Sequence, residues 1–251
     1  MGSVDLYIVT HKDFDVPGDR LYKPIIVGNG DVKISSALRD NVGDNIAEKN
    51  KSFCEMTAIY WLWKNIPHEA DDIIGLNHYR RYFSENKKNN IVNYNTVLEL
   101  LSKYDVIIPK KRNYFLFSIE SHYCKAHHEN DLKKVRQILE RKHAEYLPFY
   151  DSVMRGTKLS LYNMFITRWK LFSEYCEWLF PILFELDEQI DKKDYDPYQM
   201  RVIGFIAERL FNVWLEEKRT KIKIYEMSVY NTDGENLIHK GFNLLKRQIL
   251  S

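Results

Sequence analysis

The chain is poor in cysteine. Its 251 residues hold three, Cys54, Cys124 and Cys176, too few and too scattered for a disulfide framework or a zinc knuckle. A reducing cytoplasm is the compartment that fits. Excess charge of one sign is absent too. Lys plus Arg number 37 against 35 Asp plus Glu, a net +2. The chain as a whole is therefore not drawn to nucleic acid or anionic lipid, and no nucleic-acid partner is expected. No apolar run approaches the ~18 residues of a membrane span. The start, Met1-Gly2-Ser3-Val4-Asp5, lacks the basic flank and apolar stretch of a signal peptide, and Gly2 forms no myristoylation signal. No Gly/Ser/Pro-rich linker, repeat or low-complexity stretch divides the chain, so a single domain over 1–251 is expected. Three motifs are missing as well: Gly-x-x-x-x-Gly-Lys-Ser/Thr, Gly-x-Gly-x-x-Gly and Gly-x-Ser-x-Gly. Neither a P-loop, a Rossmann fingerprint nor a nucleophile elbow is available.

What is present is globular. Hydrophobic residues at 45% and charged residues at 29% exclude wholesale disorder. A chain of this length buries ~70–75% of its unfolded surface. Aromatics are abundant at 14%, including 17 Tyr. Most aromatics fill cores, but Tyr and Trp also stack on flat or ring-shaped ligands.

Leu6-Tyr7-Ile8-Val9 reads as a buried strand running into Thr10-His11. Ile25-Ile26-Val27, before Gly28-Asn29-Gly30, reads as a second strand ending in a turn. Met56, Ile59, Tyr60 and Trp63 set helical spacing over 53–64, with Pro67 beyond its end. Residues 72–76 form a third strand, apolar on both faces as in a covered parallel sheet. A helix over 96–103 and a strand over 106–108 follow. Strands alternating with helices predict an α/β layered fold. Ligands in such sheets bind at the carboxyl ends of strands, which selects Thr10-His11 and Asn77 to Arg81. Beyond these, the pattern predicts a helix over 119–141, a loop over 146–156 and a strand over 159–166. Helices over 169–189, with Pro181 as a candidate kink, and 198–217 come next, then an exposed edge strand at 222–225. The tail, 237–251, is amphipathic.

Four constellations carry candidate chemistry. Asn77-His78-Tyr79-Arg80-Arg81-Tyr82 follows a central strand, and its paired guanidinium forks match phosphate oxygens. The plainer reading is an ion-paired loop. In Asp44-Asn45-Ile46-Ala47-Glu48-Lys49, Asp44 or Asn45 either caps a helix, with Glu48 completing a capping box, or binds a base or ribose while Lys49 takes a phosphate. His122, His127, His128 and Asp131 cluster in sequence, and His127 and Asp131 share a predicted helix face. They form no His-Glu-x-x-His, so hydrogen bonding to substrate is favoured over zinc. Finally, Asp196-Pro197 opens a helix in helix-starting order, and Arg201, Glu208 and Arg209 lie on that otherwise apolar helix. A carboxylate there is either part of a buried salt bridge or a general base.

Five segments together resemble a known family. They are Asp44-Asn45-Ile46 with Lys49-Asn50; Cys54-Glu55-Met56-Thr57-Ala58-Ile59-Tyr60-Trp61-Leu62-Trp63-Lys64-Asn65; Gly75-Leu76-Asn77-His78-Tyr79-Arg80-Arg81-Tyr82-Phe83; Leu161-Tyr162-Asn163-Met164-Phe165-Ile166; and the stretch from Arg201 to Phe211. These are similar to bacterial capsular and exopolysaccharide glycosyltransferases, a family catalogued as a domain of unknown function, some members of which are linked to galactofuranose transfer. The likeness runs over 7–214. It implies a GT-A-like single-domain sandwich, with a central mostly parallel sheet flanked by helices. Residues 1–110 would form a nucleotide-sugar-binding half and 111–236 an acceptor and catalytic half, while the amphipathic tail 237–251, with Phe242, Leu244, Leu245, Ile249 and Leu250 beside Lys240, Lys246 and Arg247, either makes peripheral membrane contact or caps the core.

The resemblance further implies an enzyme that moves a hexosyl group, by inversion, from a nucleotide-sugar donor, UDP-linked, to an oligosaccharide or lipid-linked glycan acceptor. Thr10, His11, Asp44, Asn45, Lys49, Asn77, His78 and Tyr79 would bind the nucleotide sugar, with Tyr79 and Tyr82 stacking. Arg80 and Arg81 would hold the leaving diphosphate, so Arg80→Ala is expected to remove most turnover. Glu208 is the first choice of base and Asp196 the second. His122, His127, Asp131, Asn163, Arg201 and Arg209 would bind acceptor. Many GT-A enzymes place Asp-x-Asp, with a divalent metal, where this chain has Asn77-His78-Tyr79-Arg80-Arg81. The arginines then replace the metal, and manganese or magnesium held by His78 with a remote carboxylate is the weaker alternative. The rival classes are a metal-dependent hydrolase using His78, His122, His127 and Asp131, and a non-catalytic carbohydrate-binding module.

Overall fold

The computed structural model describes residues 2–85 and 90–233. In chain order it has β1 (Val4–Thr10), β2 (Tyr22–Ile26), β3 (Leu38–Arg39), α1 (Asn50–Phe53), α2 (Met56–Asn65), β4 (Ile73–His78), β5 (Arg81–Ser84), α3 (Tyr94–Leu101), β6 (Val106–Pro109), β7 (Arg112–Asn113), α4 (Ile119–Ala126), α5 (Glu129–Lys142), α6 (Leu147–Arg155), β8 (Lys158–Leu159), β9 (Phe165–Arg168), α7 (Trp169–Gln189), α8 (Val202–Lys218) and β10 (Ile224–Asn231). Short 3-10 turns occupy Ala47–Lys49, Ala144–Tyr146 and Gln199–Arg201. The predicted tail, 237–251, lies outside the described residues. Among those described, no helix is long and apolar enough to cross a membrane.

The strands β3-β2-β1-β4-β5-β10-β6-β9 form one sheet, and β9 returns to pair with β4. Strands β4, β5, β10, β6 and β9 therefore close a five-strand circuit. The sheet is mixed, not mostly parallel as expected. Pairs β1–β2, β1–β4, β2–β3 and β6–β10 are parallel. Pairs β4–β5, β5–β10, β4–β9 and β6–β9 are antiparallel. The physical reason is the turn at Tyr79-Arg80, which folds β5 straight back on β4, and the antiparallel entry of β9. The expected edge strand near 222–225 is instead β10, paired on both sides.

Strand β1 is apolar on both faces. Leu6 and Ile8 join one core, Tyr7 and Val9 the other, as the period of two requires. In β4, Gly75 lies where a Cβ would collide with the Leu6 side chain and come within 3.0 Å of Ile166. The helical layer is interrupted where the pattern suggests continuity. Cys54 takes φ 53°, ψ −129°, separating α1 from α2. Gly204 in α8 permits this approach, since a Cβ there would sit 3.2 Å from the Cys54 side chain. Residues 119–141 are two helices, divided at His127-His128 by extended backbone. Residues 147–155 are helical rather than loop. Pro148 falls in the first turn of α6, where its missing N–H costs no helical bond. The expected strand over 159–166 is β8 and β9 with a turn between them, while α7 runs unbroken through Pro181.

Candidate active site

Parallel pairing of β1 and β4 sets Ile8 opposite Asn77 and Val9 opposite His78. Their carboxyl ends therefore bring Thr10-His11 and Asn77 to Arg81 together. The Tyr79 amide donates to the Val9 carbonyl at 3.1 Å, and the His11 ring meets Tyr79 edge-on at 5.3 Å. Thr10 is buried, and its hydroxyl accepts from the Lys12 amide at 3.0 Å, a turn-closing role. Asn77 is buried, its Oδ1 accepts from the Phe83 amide at 3.3 Å, and its Nδ2 has no partner among the described residues.

The adjacent arginines part company. Arg80 lies over the Tyr79 ring, 4.9 Å to the centroid, and pairs with Asp233 at 2.7 Å, both side chains open to solvent. Arg81 lies over the Tyr162 ring at 4.5 Å, and its Nε is buried with no hydrogen-bond partner among the described residues. Tyr82 faces the core against Tyr22 at 5.9 Å and is not placed to stack on a ligand.

Opposite Arg81 stands a strained turn. Tyr162 and Asn163 have φ of 77° and 49°. Such backbone costs about 1–3 kcal/mol per residue and persists only when neighbours overdetermine it. Here they do. Glu208 Oε1 accepts from the Tyr162 amide at 2.7 Å. His78 Nε2–H donates to the Tyr162 carbonyl at 2.7 Å. Asn163 Nδ2 donates to Glu55 Oε1 at 2.7 Å and to the Gly204 carbonyl at 3.3 Å.

This turn ties Glu55 and Glu208 into one acid pair. Both are half-buried residues whose desolvated carboxyls are pushed up in pKa. For Glu208, Arg209 opposes that push and the charge of Glu55 adds to it. For Glu55, the Asn163 amide opposes it first, then Arg201 and Arg81. Burial drives His78 down to about 4, and Arg81 adds to the fall. His78 is thus neutral at pH 7. Its Nε2 carries the proton bonded to Tyr162, which leaves Nδ1 as an acceptor. Arg209, 4% exposed, pairs with Glu208 at 3.3 Å, donates to the Phe205 carbonyl and lies over Tyr123. Arg201 is exposed, near Cys54 Sγ at 3.4 Å and over Phe205.

The other expected site residues are engaged elsewhere. Asp44 Oδ1 accepts from the Tyr60 hydroxyl at 3.0 Å, and its amide donates to Asn65. Asn45 accepts from the Ala47 amide at 3.2 Å, an Asx-turn contact within its own loop. Lys49 pairs with Asp187 at 2.9 Å. These side chains pin their own loop to α2 and α7. Asp196 is exposed, and its Oδ1 accepts from the amides of Tyr198 and Gln199 at 2.7 and 2.8 Å, capping the following turn. Asp131 is buried with both carboxylate oxygens taken by the hydroxyls of Tyr195 and Tyr123. His127 ends α4 and donates from Nδ1 to Gln199 Oε1 at 3.0 Å. The helix break therefore places His127 and Asp131 on different helices, not on one face. Among the described residues, no three or more His, Cys, Asp or Glu side chains gather to hold a metal ion.

His122 packs on Tyr114 at 4.2 Å. Burial pushes its pKa down to about 4, with Arg209, Arg112 and His127 adding positive charge around it. An unfolded chain protonates this ring near pH ~6.5. As pH falls from ~6.5 to about 4, the unfolded state gains the proton first, and stability is lost. Above that window the contribution is complete. His122→Gln removes it, so the melting temperature of the wild type should fall relative to the variant between pH 7 and pH 4.5. Parallel curves would refute the assignment.

Glu55, Tyr162 and Cys54 are the site residues the sequence pattern did not single out. One signal was there: Glu55 is a lone carboxylate directly ahead of the buried run Met56-Thr57-Ala58-Ile59. Cys54 and the Tyr162-Asn163 turn carry left-handed φ on non-glycine residues, which no sequence cue marks.

Fold and site define a mixed α/β protein with an acid pair, a neutral histidine and an arginine whose Nε has no hydrogen-bond partner among the described residues, gathered near its strand ends. The chain belongs to the family described as Domain of unknown function (DUF4422), whose model matches residues 5–219. It is similar to a solved apo structure of the WbbM bifunctional glycosyltransferase, with a TM-score of 0.84 and 28% identity, over 93% of this chain and 46% of that one. The chain thus spans about half the length of that protein. No curated protein sequence matches it.

Proposed function

We propose that the protein transfers a glycosyl group from a nucleotide-sugar donor to a glycan acceptor in bacterial surface-polysaccharide synthesis. The observation that carries this reading is Arg81, a half-buried side chain whose Nε is buried without a partner among the described residues, beside an acid pair and one turn beyond the carboxyl end of β4. Likeness to a bifunctional glycosyltransferase supports it. The parallel strands β3-β2-β1-β4 serve the nucleotide in the GT-A manner, with His11 and Tyr79 at the nucleoside and a UDP-linked hexose, galactofuranose included, as donor.

Arg81 binds the diphosphate with its planar fork, and Arg80 adds charge from the rim. The bond between the anomeric carbon and the diphosphate oxygen breaks, and its electron pair leaves with the diphosphate. The acceptor hydroxyl oxygen attacks from the opposite face, inverting the centre, and its proton passes to a carboxylate. Both oxygens of Glu208 are occupied, one by the Tyr162 amide and one by Arg209. Glu55, bonded to a neutral amide and raised in pKa, is the better proton acceptor. Asn163 and His122 line the acceptor side. The segment Asn77-His78-Tyr79-Arg80-Arg81 offers cations where a divalent metal needs carboxylates, so no step is routed through a metal.

A thermal-shift panel of nucleotide sugars, with and without manganese, tests the reading. A ligand bound only by the native state raises the melting temperature. One nucleotide family should do so, with or without the metal. No shift from any donor, together with saturable glycan binding, would make this a carbohydrate-binding module instead.

A further inference from the structure

The loop from β7 to α4 presents a second feature. Phe115 and Leu116 are 78% and 93% exposed. Their backbone is not slack. Phe115 has φ 54°, its amide donates to Asn113 Oδ1 at 2.9 Å, and Phe117 donates to the Tyr114 carbonyl at 3.2 Å. The Tyr114 amide bonds the Thr157 carbonyl at 2.8 Å, and Ser118 caps α4. A bulky residue is thus held in the left-handed region, with its side chain in water.

Basic residues flank this apolar tip, a collar set by chain order and by two ring contacts, Lys125 over Phe117 and Arg112 over Tyr114. Lys110, Lys111 and Arg112 precede it, and Lys125 lies over the Phe117 ring at 4.1 Å. Among the described residues no carboxylate forms an ion pair with any of these four. Glu120 is the acidic residue between Lys110 and Lys125. The Glu226 carboxylate accepts only the Lys111 backbone amide, at 3.2 Å. An apolar knob flanked by cations without ion-pair partners among the described residues complements an anionic lipid surface: Phe115 and Leu116 enter the headgroup boundary and the cationic groups stay at the phosphates.

We propose that the Phe115-Leu116 tip and its basic collar dock this chain on an anionic membrane surface. The charge of the patch selects that occupant over a second copy of the chain, whose matching surface would repel. The tip adjoins the site: Tyr114 packs on His122, whose surroundings include Arg209, the partner of Glu208. The docking rests on the loop alone and does not require the glycosyl-transfer reading.

The test is co-sedimentation of the full chain with vesicles of phosphatidylcholine alone or mixed equally with phosphatidylglycerol. Binding should occur on the anionic vesicles and weaken with salt. Phe115→Asn with Leu116→Ser, polar residues suited to the exposed turn, should weaken it by about ten-fold or more, as should Lys110→Gln with Lys111→Gln. The melting temperature and any nucleotide-sugar shift should not change. Absence of wild-type binding to the anionic vesicles overturns the proposal. So does unchanged binding by the tip variant, with loss only on truncating 241–251. A wild-type dimer that the tip variant converts to monomer would make the patch a contact between copies and overturn it too.

Discussion

Arg81→Ala should lower the transfer rate by about 10²–10³-fold, the range for removing one preorganised donor to developing charge. The fold should survive, because the side chain contributes a stacking contact on Tyr162 and a buried Nε without a partner. Arg81→Lys should rescue little, since a point charge cannot replace a planar fork on two phosphate oxygens. Arg80→Ala should cost far less. Its guanidinium is half-satisfied by Asp233 in solvent, where ion pairs are weak. The sequence pattern ranks the two arginines together; the β4–β5 turn separates them. The check is kcat/KM for the donor that the thermal-shift panel identifies. Equal losses in the two alanine variants would return the diphosphate to both side chains, and full activity in Arg81→Ala would remove it from this site.

The second large effect divides the acid pair. Glu55→Gln should abolish the base and cost about 10²–10⁴-fold in kcat, while keeping the Asn163 contact, since an amide oxygen also accepts. It should leave stability unchanged or raised, because a repelling charge disappears from beside Glu208. In the wild type the acid limb of the pH–rate profile should lie above the ordinary carboxylate range, because the raised pKa of Glu55 must be exceeded before it takes a proton. That limb should vanish in the variant. Glu208→Gln should behave differently. It strips Arg209, 4% exposed, of its counter-charge, and breaking a buried pair from one side costs about 3–5 kcal/mol. The melting temperature should fall steeply. A well-folded, inactive Glu208→Gln beside an active Glu55→Gln would reverse the two roles.

Strands β1, β4 and β6, and the end of β2, were legible because short continuous apolar runs bounded by turn residues suit a strand covered on both faces. The rule of strand ends then located Thr10-His11 and Asn77 to Arg81 without any chemistry. The hairpin at Tyr79-Arg80 was not legible, since it lacks the glycine or asparagine that marks a tight turn, and with it went the mixed sheet. Helix α6 was hidden by Pro148, which signals a break in a helix interior and not in a first turn. Asn45 looked like a ligand-binding residue and Asp196 like a base for the same reason that they are not free: short polar side chains satisfy neighbouring backbone as readily as substrate. Glu55 escaped because its partner Asn163 lies 108 positions away, beyond the reach of any local pattern.

Because β9 bonds to both β4 and β6, the sheet runs out, among the described residues, at Leu38–Arg39, a strand of two residues. A foreign backbone seeking a template for strand addition finds almost no free ladder there. Along this sheet, edge-to-edge growth has only that two-residue template to start from, so association through it falls to side chains.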